Sequence, residues 1–161
     1  MSFFVKVTSA RKPRTKDVRT ISVFYAAILV VFAVAQLFTF DTFTELISSY
    51  GLPGGETMGY FLASLLVVAE VFALPFLLGM TISPAFRWVS MVLSWLAPLI
   101  LLKLAFWGAA INETVSSAGF LGTLVSIMPG WWAVFVSIAL AIMAAWTSWG
   151  LWPGGLPKAK K

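Results

Sequence analysis

Residues 58–80 read MGYFLASLLVVAEVFALPFLLGM, an apolar run broken only by Glu70 and Pro75. Crossing the hydrocarbon core of a bilayer takes about 20 apolar residues. The run is long enough to span, and it is apolar on every side, unlike a helix with one face in water. It predicts a transmembrane helix with a single carboxyl group near its middle.

Working outward, the same pattern recurs three times. Ile21–Phe40 is apolar apart from Ser22, Gln36 and Thr39, Phe86–Trp107 holds Pro98 and Lys103, and Trp131–Trp152 carries no charge. The prediction is an all-α integral membrane four-helix bundle, with helices at 21–40, 58–80, 86–107 and 131–152. A basic segment (1–19) precedes the bundle (20–152) and a basic tail (153–161) follows it. Ala33-Val34-Ala35 resembles a signal-peptidase site, but the apolar run continues beyond it, which favours a retained helix. Prolines are tolerated in such helices where neighbours pair the freed carbonyls, and Pro75 and Pro98 are expected to kink theirs.

Charge sets the orientation. Lys6, Arg11, Lys12, Arg14, Lys16 and Arg19 precede the first helix, Arg87 opens the third, and Lys158, Lys160 and Lys161 end the chain. The other two connections carry Asp41, Glu45, Glu56 and Glu113 and no Lys or Arg. Both termini are therefore predicted in the cytoplasm of a multi-pass cell-membrane protein. Trp107, Trp131 and Trp132 would anchor the outer interface, and Trp88, Trp146, Trp149 and Trp152 the inner one.

The outer connections read as more than linkers. Asp41 can cap a short helix through Tyr50 that aligns Phe43, Leu46, Ile47 and Tyr50, and Gly51 and Pro53 stop it. Ala118–Met128 spaces Phe120, Leu121, Leu124, Val125 and Met128 similarly. Both are expected as short interfacial helices, serving either as a lid over the bundle or as part of a binding site.

The composition narrows the function. The chain has 161 residues, 60% of them apolar and 11% charged, no cysteine and no histidine. Without cysteine it forms no disulfide and catalyses no thiol exchange itself. Without histidine it lacks the commonest metal, haem and acid–base side chain. The net charge of +5 is confined to short stretches and makes no nucleic-acid surface. No phosphate loop, nucleophile–base set or paired carboxylates are present, so no catalytic residue, metal site or resident cofactor is assigned.

Three intramembrane residues make a candidate polar site. Glu70 must be paired, hydrated or neutralised at its depth. It is either a proton, cation or ligand-head site, or a buried hydrogen bond that locks its helix. Lys103 either snorkels to the outer interface or reaches inward, and Gln36 sits near its depth. Glu70 lies roughly 10 Å deeper at 1.5 Å per residue. Ala133, Ser137, Ala141 and Ala145 repeat every four residues along the last helix, a spacing suited to close helix packing.

The stretches FAVAQLFTFDTFTELISSYGLP (32–53) and AEVFALPFLLGM (69–80), with the basic turn Pro84-Ala85-Phe86-Arg87, resemble the DoxX/MauE-like family of small four-helix membrane proteins. The similarity covers about residues 20–107. Glu70 and Gly79 match the family's pattern in its second helix. The chain departs from it at Gln36, where the family often has lysine, and around Leu74-Pro75, where a glycine is usual. The resemblance implies an inner-membrane protein of a redox or maturation system, with quinone entering through a complex. A member lacking cysteine would be an accessory or scaffolding subunit with a membrane-protein partner. The alternative is a small homo-oligomeric transporter or proton path gated by Glu70.

Overall fold

The computed structural model describes residues 12–111, 115–128 and 130–153. The basic residues before Lys12, the lysines of the tail and Glu113 lie outside the described residues. Each apolar run folds as one helix: α1 (Lys16–Phe38), α3 (Gly55–Leu77), α4 (Pro84–Ile111) and α5 (Trp131–Gly150), with the short α2 (Phe40–Ser49) between the first two. The four long helices are apolar enough to cross a membrane. Large apolar side chains line their outward faces, among them Phe24, Val34, Phe61, Val92 and Phe135. Such surfaces belong in lipid, and the protein is a multi-pass membrane protein.

The helices close into a ring in chain order, α1 against α3, α3 against α4, α4 against α5 and α5 against α1. Neighbours run antiparallel. At the end where α1 begins, Ser22 Oγ donates to the Leu77 carbonyl and Arg19 donates to the Leu78 carbonyl (3.0 Å). There too the Arg14 N–H reaches the Gly150 carbonyl (3.4 Å), and its guanidinium lies 4.8 Å from the Trp149 ring centroid. Thr15 caps α1 by accepting from the Val18 N–H at 3.3 Å. This capping starts α1 upstream of its apolar run.

Two prolines interrupt the helices, and a hydroxyl from another helix bonds the backbone at or beside each interruption. Pro98 has no N–H to offer the carbonyl four residues back, which belongs to Ser94. Tyr25 of α1 reaches across the ring and donates its hydroxyl to that carbonyl at 2.7 Å. Beside Pro75, the Ser90 hydroxyl of α4 enters the backbone ladder of α3. It accepts from the Phe76 N–H (3.0 Å) and donates to the Phe72 carbonyl (2.5 Å), with the Ala73 carbonyl at 3.3 Å.

At the other end, here called the loop end, α2 lies across the start of α3. Gly59 meets Ser48 so closely that a Cβ would sit 2.9 Å from the Ser48 backbone. Phe43, Leu46, Ile47 and Tyr50 are all buried, the face anticipated for this helix. The second expected short helix is not formed: residues 118–128 run as turns and bends. Gly119 and Gly122 hold φ of 77° and 58°, in the left-handed region that breaks an α-helix. Gly122 also approaches the end of α1, where a Cβ would meet the Ala35 carbonyl at 3.1 Å.

The four-residue stripe on α5 is partly displaced from the packing face. Ala133 and Ser137 are fully buried, but Ala141 and Ala145 are half-buried, and Leu140, Ala144 and Thr147 take over. Each step of four residues turns about 40° past a full turn, so a strict repeat drifts off the contact line.

The pairing of Tyr25 with the proline gap yields a stability test. Tyr25→Phe should destabilise the protein by about 1–3 kcal/mol, since it strands a buried carbonyl. In a Pro98→Ala background the residue-98 N–H can restore the backbone bond, and the same substitution should cost much less. Equal costs in both backgrounds, measured by unfolding in detergent, would show that the hydroxyl does not serve the proline gap.

Candidate functional site

Glu70 and Gln36 are both completely buried, the first on α3 and the second near the end of α1. Side chains on a helix lean toward its N-terminus. On two antiparallel helices these lean toward each other, so residues at different depths can meet. Gln36 Nε2 donates to Glu70 Oε1 at 3.3 Å. The same amide nitrogen faces the Phe120 carbonyl at 3.2 Å and the Gly119 carbonyl at 3.5 Å. One side chain thus joins α1, α3 and the turn-rich segment 115–128. Two atoms of the pair, Gln36 Oε1 and Glu70 Oε2, have no hydrogen-bond partner.

Lys103, the third sequence candidate, is not brought into this site. It lies exposed on α4 and makes no ion pair with Glu70. The position falls on the outward side of the helix, where a lysine can extend its charge toward the membrane surface. Among the described residues no group of three or more His, Cys, Asp or Glu side chains could hold a metal ion.

The cover over the pair joins residues the apolar pattern singles out, Tyr50, Trp107, Phe120 and Trp132, to polar ones it does not, Thr42, Ser117 and Thr123. Tyr50 donates to the Ser117 carbonyl at 3.0 Å, and burial pushes its phenol up to about 12. Trp107 Nε1 donates to the Tyr50 carbonyl at 3.0 Å. The Thr123 N–H reaches Thr39 Oγ1 at 3.2 Å, and the Thr42 and Thr123 hydroxyls lie 2.6 Å apart. The Phe120 ring sits between Phe32 and Trp132, at 5.6 and 5.8 Å between centroids. The signal for this cover was the Gly119/Gly122 pair, which marks a tight turn. Nothing in the spacing announced that its carbonyls meet Gln36.

Comparison with known protein-family models, with curated proteins and with solved structures found no match. What the site can do is therefore read from its own chemistry. It is a neutral amide and a carboxyl in a fully buried position, without a nucleophile, cation or second carboxylate beside them among the described residues.

Two substitutions separate the lock from the titrating group. Glu70→Gln keeps shape and hydrogen bonding and should unfold within about 0.5 kcal/mol of the parent. Glu70→Leu removes the partner of a buried donor and should cost about 1–3 kcal/mol. A Leu variant more stable than the parent would mean that the pair does not hold α1 to α3.

Proposed function

We propose that this protein is an accessory or scaffolding subunit of a membrane redox or maturation system, of DoxX/MauE-like type, with both termini in the cytoplasm. The observation that carries this reading is an apolar groove of about 500 Å³ between α1 and the loop-end segment. Val30, Val31, Val34, Phe38, Leu121 and Leu124 line it. A groove of this kind on a membrane-facing surface fits the ridge of a partner helix or the isoprenoid tail of a quinone held by a complex. Ala35, adjacent to Gln36, also lines it, so an occupant would sit one helix away from the buried polar pair.

The charge distribution supports the orientation. Lys12, Arg14, Lys16, Arg19 and Arg87 gather at the end where α1 begins, with Asp17 the acid among them. Asp41, Glu45 and Glu56 lie at the loop end. Basic residues favour the cytoplasmic side, which supports an outward-facing loop end, with Lys103 of α4 the described base nearer to it.

A second reading, a proton path through a homo-oligomer gated by Glu70, draws on the unpartnered Glu70 Oε2. Native mass measurement of the gently solubilised protein separates the two. The accessory reading expects a hetero-complex that Val34→Trp, filling the groove, dissociates while the bundle still melts like the parent. A homo-oligomer supports the proton path, and a lone monomer contradicts both.

A further inference from the structure

The hydrogen atoms around Gln36 can be counted. Its amide carries two, and the geometry directs one to Glu70 Oε1 and the other to the neighbouring Gly119 and Phe120 carbonyls. The two atoms left over, Gln36 Oε1 and Glu70 Oε2, are both acceptors and both buried without a donor. In an acid–amide pair whose first leg is the Gln36 Nε2 bond to Glu70 Oε1, these are the two atoms that the second leg would join. A single hydrogen on Glu70 Oε2, turned toward Gln36 Oε1, would complete the ring and satisfy both atoms.

No other group among the described residues is placed to supply that hydrogen. On α1 the titratable neighbour is Tyr25, whose hydroxyl is committed to the Ser94 carbonyl. On α4 Ser90 and Ser94 donate to backbone carbonyls of Phe72 and Met91, and Lys103 is exposed. Ser137 of α5 donates to the Ala133 carbonyl. Asp41 and Glu45 of α2 are exposed, and residues 115–128 contain no titratable side chain.

We propose that Gln36 and Glu70 form a proton-binding site, and that the bound proton keeps residues 117–123 seated over the loop end. With the proton in place, the carboxyl holds the amide plane and leaves one N–H for the Gly119 and Phe120 carbonyls. With the proton gone, a carboxylate competes for both amide hydrogens, and the two carbonyls face a negative charge in a buried, low-dielectric site. Gln36 ties this segment to the bundle interior from α1, beside the Tyr50 bond to the Ser117 carbonyl from α2, while the bonds of Thr123 lie at its exposed rim. The ligand is a proton taken up from the aqueous phase at Oε2 and returned there, with no other bond made or broken. The site stands whether the protein is an accessory subunit or a proton path.

The test uses the full chain in lipid nanodiscs, and the absence of native cysteine lets single introduced ones report. Infrared difference spectra should show a protonated-carboxyl band that Glu70→Gln abolishes and Gln36→Leu shifts. Ala118→Cys, at a buried position, should react with maleimide about tenfold more slowly than the exposed Ser126→Cys, equivalent to about 1.4 kcal/mol. Gln36→Leu should bring the two rates together. Raising pH until the band disappears should do the same in the parent and not in Glu70→Gln. If the band survives every pH the fold tolerates, Gln36→Leu must still expose Ala118→Cys. The proposal is overturned by the absence of a Glu70 band at neutral pH, by protection indifferent to Gln36→Leu, or by a Glu70→Gln profile that follows the parent.

Discussion

A backbone polar group inside a membrane has no water to fall back on, so each must find its partner within the protein. Most of this bundle meets that demand through helical hydrogen bonds. The prolines cannot, and hydroxyls from other helices bond the backbone at Pro98's gap and beside Pro75. Tyr25 takes the carbonyl left by Pro98, and Ser90 enters the ladder beside Pro75. The first bond sets the depth of α1 against α4, and the second sets α4 against α3. Because hydroxyls are short and the groups they serve are immobile, these bonds tolerate little sliding. The prolines, weak points within their own helices, thereby become points of registry between helices.

The same reasoning extends to Gln36. It sits in a fully buried position where a polar side chain is costly unless paired, and its amide meets acceptors from two other parts of the chain. Held in place by the antiparallel lean of α1 and α3, it makes the loop-end segment part of the bundle. Under the proposals made above, a change of charge on Glu70 would act on the amide that reaches the cover.

Much of this was legible in the residues. Long apolar runs mark the helices because the bilayer length is a strict requirement, and Phe43, Leu46, Ile47 and Tyr50 announced the buried face of α2. The inward placement of Glu70 followed from the cost of exposing it to lipid. Other features were hidden for physical reasons. Helical spacing at 118–128 was overridden by the left-handed backbone of Gly119 and Gly122. The alanine stripe of α5 drifted because four residues exceed one helical turn. Lys103 was open to two readings, snorkelling outward or reaching inward across roughly 10 Å of depth, and its exposed position on α4 leaves Glu70 to Gln36. Tyr25 and Ser90 passed as ordinary members of apolar helices, since their roles depend on which helix lies opposite.

The central claim is that Gln36 and Glu70 are bound to each other in the bundle interior and act as one unit. A double-mutant cycle measures this directly, with Gln36→Leu, Glu70→Leu and the double variant unfolded in detergent. The account predicts a coupling of about 1–2 kcal/mol, the double variant losing much less than the sum of the singles. Additivity within about 0.3 kcal/mol would contradict it, and would mean that the two side chains are buried near one another without holding the helices together.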